Sequence, residues 1–379
     1  MEGVLRMKQI GTGIVILFVL LSLGVVGLGY LQRNQPESQK TPLELKLTVN
    51  AMAQTWMRQV VRSFNDSDNR LIGDYIVTIT LNNATIDDMT VWLNDTWTDQ
   101  NHPDLWLPST SLAVNYAGYP IRSVVPSVAQ SPLVWVATAD VAQAITQDGN
   151  QPFDWDTVQA AAQAETWANF GASAINGNVN IAFSLPNGTM NGLMVLYSSL
   201  SYFNDETTIA NNSMTPAYQS WFLPIKQSVP NFTSIGDNVA TFMVTQQGTS
   251  VNIGMLPEAQ LLNQLEALIN RRDIQVAYPQ YPVVFDFPLA EWQVTNVSAE
   301  NTTIRQQAIQ AFGEWLLAPD QQAQLAQNGL RPIAENPTEA DRLFRLGTEV
   351  GIEYAPSLDG RLTEAPFAFA GILLSWFSR

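Results

Sequence analysis

The chain has 379 residues, with 18 Lys+Arg against 34 Asp+Glu, a formal net charge of −16, no cysteine and a single histidine. An acidic surface repels phosphate backbones, which argues against a nucleic-acid partner. Without thiols there are no disulfides or thiolate metal sites, one histidine cannot build a multi-histidine zinc centre, and any Ser-His-Asp triad would have to use His102.

Residues 10–31 read IGTGIVILFVLLSLGVVGLGYL, without a charge and preceded by Arg6 and Lys8. A run of this length can cross the roughly 30 Å hydrocarbon core as a helix. The basic residues before it hold its N-terminus in the cytoplasm. A cleaved secretory signal is the competing reading, but its apolar core is shorter and ends in a small-x-small site. Gly27-Leu28-Gly29-Tyr30-Leu31 matches such a site poorly. The expectation is an uncleaved anchor: a cytoplasmic 1–9, a membrane span at 10–31 and a polar tether at 32–42. The bulk of the chain then lies in the extracellular or periplasmic space.

Residues 43–49 alternate apolar and polar, as a half-buried strand does. Trp56, Met57, Val60, Val61 and Phe64 follow at helical spacing, and 75–81 read as a second strand. A segment rich in Asp and Asn leads to the short apolar run Leu105-Trp106-Leu107, after which Pro108 to Ser111 introduce a helix. His102 sits within the polar segment and reads as a loop residue. This rhythm predicts a parallel sheet covered by helices. Residues 133–137 form another strand, and 140–170 read as helical, with Asp156 as an N-cap. Residues 180–185 are a strand, 186–192 a loop and 193–203 a helix. Asp237 is expected to cap a helix, 252–256 to form a strand, and Pro257-Glu258 to open the next helix. Residues 274–278 and 283–288 lead out of this unit. Two late helices follow, the second ended by Asn328-Gly329, a C-cap signal. The apolar residues 367–377 are too short to span a membrane and read as a helix packed on the first lobe.

Several of these segments together resemble the extracellular solute-binding protein family, in the branch that includes molybdate- and sulfate-type binders. Ser131-Pro132-Leu133-Val134-Trp135-Val136 resembles the strand that crosses into a second lobe. Residues 183–193, FSLPNGTMNGL, resemble the strand, ligand loop and helix start of that lobe. Tyr278-Pro279-Gln280-Tyr281-Pro282, leading to Phe287-Pro288-Leu289, resembles the return crossing. Residues 308–332, ending in Gly329-Leu330-Arg331-Pro332, resemble the late helix pair. The resemblance implies a two-lobed α/β fold of the type II periplasmic-binding kind, each lobe a mostly parallel sheet flanked by helices. Lobe I would comprise 43–131 and 282–379, and lobe II 132–281. It also implies a ligand held between the lobes, hinge closure around it, and an ABC-transporter permease or a sensor as partner. No enzymatic activity, cofactor or metal is implied.

Helix N-termini offer unpaired N–H groups and partial positive charge, so anions bind there without a basic side chain. Hydroxyl and amide groups in the first turn add hydrogen bonds. The candidates at predicted strand-to-helix turns are Asn50; Ser109, Thr110 and Ser111; Ser184, Asn187, Thr189 and Asn191; Asp237 and Asn238; and Glu258. The same residue types also cap helices for stability alone. The turn after the first strand, Asn50-Ala51-Met52-Ala53, lacks a hydroxyl until Thr55. Trp106, Trp135, Trp155 and Trp221 are either core or surfaces for stacking. The ligand is thus an oxyanion or a small polar organic solute. The alternatives are a cell-surface interaction module that keeps the fold without a ligand and, behind it, a carboxylate-dependent surface hydrolase.

Overall fold

A computed structural model describes residues 40–82, 86–94, 96–245, 251–293 and 299–379. The expected anchor at 10–31 and most of the tether lie outside the described residues. Among the described residues, no helix is long and apolar enough to cross a membrane.

The chain opens with β1 (Thr41–Val49), whose side chains become buried toward its C-terminal end. Helix α1 (Gln54–Asn65) turns Trp56, Met57, Val60, Val61 and Phe64 to one buried face, the stripe that its spacing dictates. Then come β2 (Leu71–Ile72), β3 (Tyr75–Leu81), α2 (Asp88–Leu93), β4 (Leu105–Leu107), α3 (Ser111–Ala117) and β5 (Ile121–Val125). The second lobe begins with β6 (Ser131–Thr138), α4 (Ala139–Ile145), α5 (Trp155–Ala164), α6 (Trp167–Phe170) and β7 (Ile181–Ala182). It continues through α7 (Met190–Asn204), α8 (Pro216–Gln227), α9 (Phe232–Ile235), α10 (Val239–Thr245), β8 (Ile253–Pro257), α11 (Glu258–Ile269) and β9 (Ile274–Ala277). The return carries β10 (Val284–Phe285), β11 (Leu289–Trp292), α12 (Ala299–Leu316), α13 (Pro319–Gln322), α14 (Arg342–Thr348) and α15 (Phe367–Phe377).

The first sheet has the order β2-β3-β1-β4-β11-β5, and the second runs β10-β6-β8-β7 with β9 also on β6. Neither is mostly parallel, which corrects the expectation from the sequence. β1 runs parallel to β3 and β4, but β11 enters antiparallel between β4 and β5. In the second sheet β6 pairs antiparallel with β8, β9 and β10, and only β7 with β8 is parallel. Alternation of strands and helices fixes which elements cover a sheet. It leaves open the direction of a strand that returns from the other lobe.

The two crossings between the lobes pair with each other. Val284 lies opposite Pro132 and Phe285 opposite Ser131, and Leu133 N–H donates to the Val283 carbonyl at 2.8 Å. An apolar core runs across this ribbon from Leu47 and Trp56 in the first lobe to Trp135, Trp155 and Phe183 in the second. Three of the four singled-out tryptophans, Trp106, Trp135 and Trp155, are core residues, and Trp221 is half-buried.

Two late segments depart from the expected division. Ala326, Phe344 and Ile352 pack with Leu262 and Leu265 of α11 in the second lobe. Helix α15 spans both lobes: Phe367 meets Trp92 and Tyr116 of the first, and Phe377 meets Phe183 and Phe232 of the second. Lys226 Nζ donates to the Phe377 carbonyl at 2.6 Å and fixes its C-terminal end. Apolarity all round hid from the sequence which lobe it would cover.

Candidate functional site

β1 ends at Val49, and Asn50 turns the chain toward α1. The Asn50 Oδ1 accepts from Met52 N–H at 3.0 Å, the cap of a single 3-10 turn. Its Nδ2 donates to Asp88 Oδ2 at 3.1 Å. Asp88 is fully buried, and the same oxygen also receives Ser109 N–H at 2.7 Å and the Ser109 hydroxyl at 2.5 Å. Its Oδ1 has no partner among the described residues. Burial pushes the Asp88 carboxyl above the usual range, against the donors from Ser109 and Asn50.

Asp87 caps α2 by accepting Met89 N–H at 2.8 Å. The same Oδ1 accepts at 3.3 Å from the N–H of Met190, the first residue of α7 in the other lobe. A carboxylate of the first lobe thus occupies the N-terminus of a second-lobe helix, where negative charge is favoured. Burial raises the Asp87 carboxyl, the negative charges of Asp88 and Asp237 push it the same way, and the Met89 and Met190 N–H groups oppose them.

On the second lobe, three side chains converge on one carbonyl. Ser184 Oγ, Asn191 Nδ2 and Gln260 Nε2 donate to the Asp237 backbone oxygen at 3.3, 3.2 and 3.0 Å. This pins the turn before α10, with the Asp237 side chain left exposed. The helix is capped by Asn238, whose Oδ1 accepts Thr241 N–H at 2.9 Å, and not by Asp237 as expected. Gln260 is 7% exposed, and its Oε1 is buried with no partner among the described residues. Asn263 Nδ2 donates to the Ala259 carbonyl at 2.8 Å and the Asn328 carbonyl at 3.0 Å, drawing the late turn against α11. Gly329 ends that turn with φ of 74°, the left-handed C-cap that the sequence signals.

These groups enclose a cleft of about 450 Å³ between the lobes. One wall is Asn50, Ala51, Met52, Thr55, Ile86 and Asp87, and the other is Asn191, Asp237, Asn238, Gln260 and Asn263, with Asn328 beside them. The volume falls in the range of small-molecule sites, which run from about 300 to 1,000 Å³. Among these lining residues the charged side chains are Asp87 and Asp237, both acidic; the rest of the polar lining is amide and one hydroxyl.

Four of the residues singled out from sequence, Asn50, Asn191, Asp237 and Asn238, line this cleft. Ser184 stands one layer behind, holding Asp237. Ser109 is buried on Asp88, Thr110 accepts Leu112 N–H at 3.3 Å, and Ser111 N–H donates to Asp286 Oδ1 at 2.7 Å. Thr189 caps α7 by accepting Gly192 N–H at 3.0 Å, and Asn187 points to Ser378 Oγ at 3.0 Å. Glu258 is fully buried against Arg331, 2.6 Å away, with the Tyr278 hydroxyl also donating to it. His102 stacks on Trp292 at 4.4 Å. Asp156 does not cap α5; Asp154 does, in a capping box with Thr157.

The sequence reading passed over Asp87, Gln260, Asn263 and Asn328. Asp87-Asp88 ahead of the apolar Met89, Val91 and Trp92 is an N-cap signal that locates Asp87 at a helix start. Asn328 belongs to the C-cap signal, which fixes a turn but not its place in the cleft, and Gln260 and Asn263 carry no comparable signal, because tertiary packing alone brings them there.

No protein-family model matches this sequence, and no curated protein matches it. Solved structures share its fold. The maltose/maltodextrin-binding domain MalE from Bdellovibrio bacteriovorus bound to maltotriose is 9% identical, covers 89% of this chain and 93% of its own, and superposes with a TM-score of 0.59. UgpB from Mycobacterium tuberculosis, in complex with glycerophosphocholine, is 12% identical over 89% and 92% of the two chains, with a TM-score of 0.56. The sulfate-binding protein SubI from Mycobacterium tuberculosis is 13% identical over 86% and 96%, with a TM-score of 0.51. The chain has the two-lobed α/β solute-binding fold, with mixed sheets.

Proposed function

We propose that this protein is a solute-binding protein that holds a small polar organic solute in the cleft between its lobes and delivers it to an ABC-transporter permease or a sensor. The observation that carries this reading is the cleft itself: about 450 Å³, with polar side chains presented from both lobes. The neighbouring structures named for binding sulfate, maltotriose and glycerophosphocholine support the same class of role. An oxyanion is the less favoured ligand here, because Asp87 already occupies the N-terminus of α7 and the lining adds a second carboxylate. The binding part sits outside the membrane in this reading, tethered by the apolar segment at residues 10–31.

Thermal unfolding of the full-length chain in detergent, against sulfate, maltotriose, thiamine and simple amines, tests the reading. A bound solute at 100 times its dissociation constant stabilises the fold by about 2.7 kcal/mol. Cooperative unfolding that no member of the panel moves would sink the reading in favour of an interaction module that keeps the fold.

A further inference from the structure

Asp87 and Asp237 stand on opposite walls of the cleft, one from each lobe, with no Lys, Arg or His among the lining residues. Like charges across one cleft repel, and the Asp237 charge adds to the burial and the Asp88 charge that raise the Asp87 carboxyl. We infer that the cleft takes a cationic organic solute, whose ammonium or similar group sits between the Asp87 and Asp237 carboxylates. This rests on the solute-binding reading above and names its ligand class.

Three further observations point the same way. First, acceptors are left open. The Asp237 side chain is exposed on the cleft wall, and among the described residues the Gln260 Oε1 on the same wall is buried without a donor. Buried acceptors are nearly always satisfied, so the donor that Gln260 lacks belongs to what fills the cleft. Second, the donors suited to an anion are already used. Met190 N–H gives to Asp87, and Gly192 N–H gives to Thr189. An anion would have to expel Asp87 and then face Asp237. Third, the Asn191 and Asn263 Nδ2 groups and the Asn238 Oδ1 are engaged within the protein, which leaves the Asn191 and Asn263 Oδ1 as acceptors and the Asn238 Nδ2 as a donor for the remainder of a solute of either sign. The carboxylates therefore decide the charge.

The test is calorimetric titration of the full-length protein in detergent with 1,4-diaminobutane, choline and thiamine as cationic probes. The controls are 1,4-butanediol, sulfate, maltotriose and calcium ion. The expected result is saturable binding of at least one organic cation, weakened tenfold or more in Asp237→Asn. Because the Asp237 side chain is exposed and holds no other group among the described residues, that variant should unfold at the wild-type midpoint or slightly above it. Binding of sulfate or maltotriose that Asp237→Asn leaves unchanged would overturn the cationic assignment while leaving the solute-binding reading standing. Calcium binding with the organic cations inert would overturn it as well. Silence from every probe would remove both readings together.

Discussion

Glu258 and Asp237 both stand at helix starts in the second lobe, and the structure treats their charges in opposite ways. Glu258 is fully buried, with Arg331 Nε and Nη2 donating to its two oxygens at 2.6 and 2.7 Å and the Tyr278 hydroxyl joining them. Arg331 is completed by the Glu353 and Tyr354 carbonyls at 2.6 and 2.8 Å. Asp237 keeps its backbone fixed by three donors while its side chain stays exposed on the cleft wall opposite Asp87. An acid closed in by its own protein is part of the fold. An acid left exposed on a cleft wall is open to whatever enters the cleft.

Removing one partner from each arrangement breaks or sharpens this contrast. Glu258→Ala leaves the Arg331 guanidinium buried without its counter-charge, a loss of about 3–5 kcal/mol. Urea unfolding should show a large drop in midpoint, whereas Asp237→Asn should show none. Equal midpoints for Glu258→Ala and wild type would mean that the clamp contributes nothing and that the contrast fails.

A smaller effect is expected at the apolar join. Phe377 is 3% exposed and packs edge-on to Phe183 and Phe232 at 6.4 and 5.5 Å between ring centres. Phe377→Ala should cost about 3 kcal/mol, at the low end for a buried phenylalanine. If α15 straps the lobes together, the variant should also expose backbone amides in both lobes to hydrogen exchange. Exchange confined to the last helix would make α15 a passive cap.

Much of this architecture was legible in the sequence, because burial leaves a periodic trace. The buried stripe of α1, the strand β1 and the Asn328-Gly329 stop follow from spacing and turn chemistry, whereas the two crossings rest on the family resemblance. Strand direction left no such trace, since β11 reads the same whichever way it enters the sheet. The site was legible only in part. Asn50, Asn191, Asp237 and Asn238 carry the same capping signal as Thr110 and Thr189, yet the first four reach the cleft and the last two only close helices. What separates them is distance across the fold, such as the 3.3 Å between Asp87 and Met190, more than a hundred residues apart in the chain. The Gly329-Leu330-Arg331-Pro332 segment shows the converse. It suggested a family resemblance, and its arginine proves to be the partner of Glu258, a candidate ligand residue that the structure turns into part of the frame.

Asp154 lies between these extremes and gives the mildest effect. It is 5% exposed, and burial lifts its carboxyl to about 6, against donors from Gln280 N–H at 2.7 Å and Trp155 N–H at 2.8 Å. Gln280 belongs to the return crossing, so this one carboxylate ties α5 to the path between the lobes. Unfolded, the group titrates near its ordinary value of about 3.9. Between about pH 4 and pH 6 the folded chain therefore holds a proton that the unfolded chain has released. The stability from this group is complete below about pH 4 and is lost as pH rises through about 6. Asp154→Asn removes the titration while keeping an acceptor for one of the two N–H groups. Urea midpoints of wild type and variant across pH 4 to 7 should diverge, with wild type losing ground to the variant as pH rises. A difference that stays flat would mean that Asp154 titrates alike in both states and that the Gln280 and Trp155 donors fully offset its burial, which would place it with Glu258 among the acids the fold has satisfied.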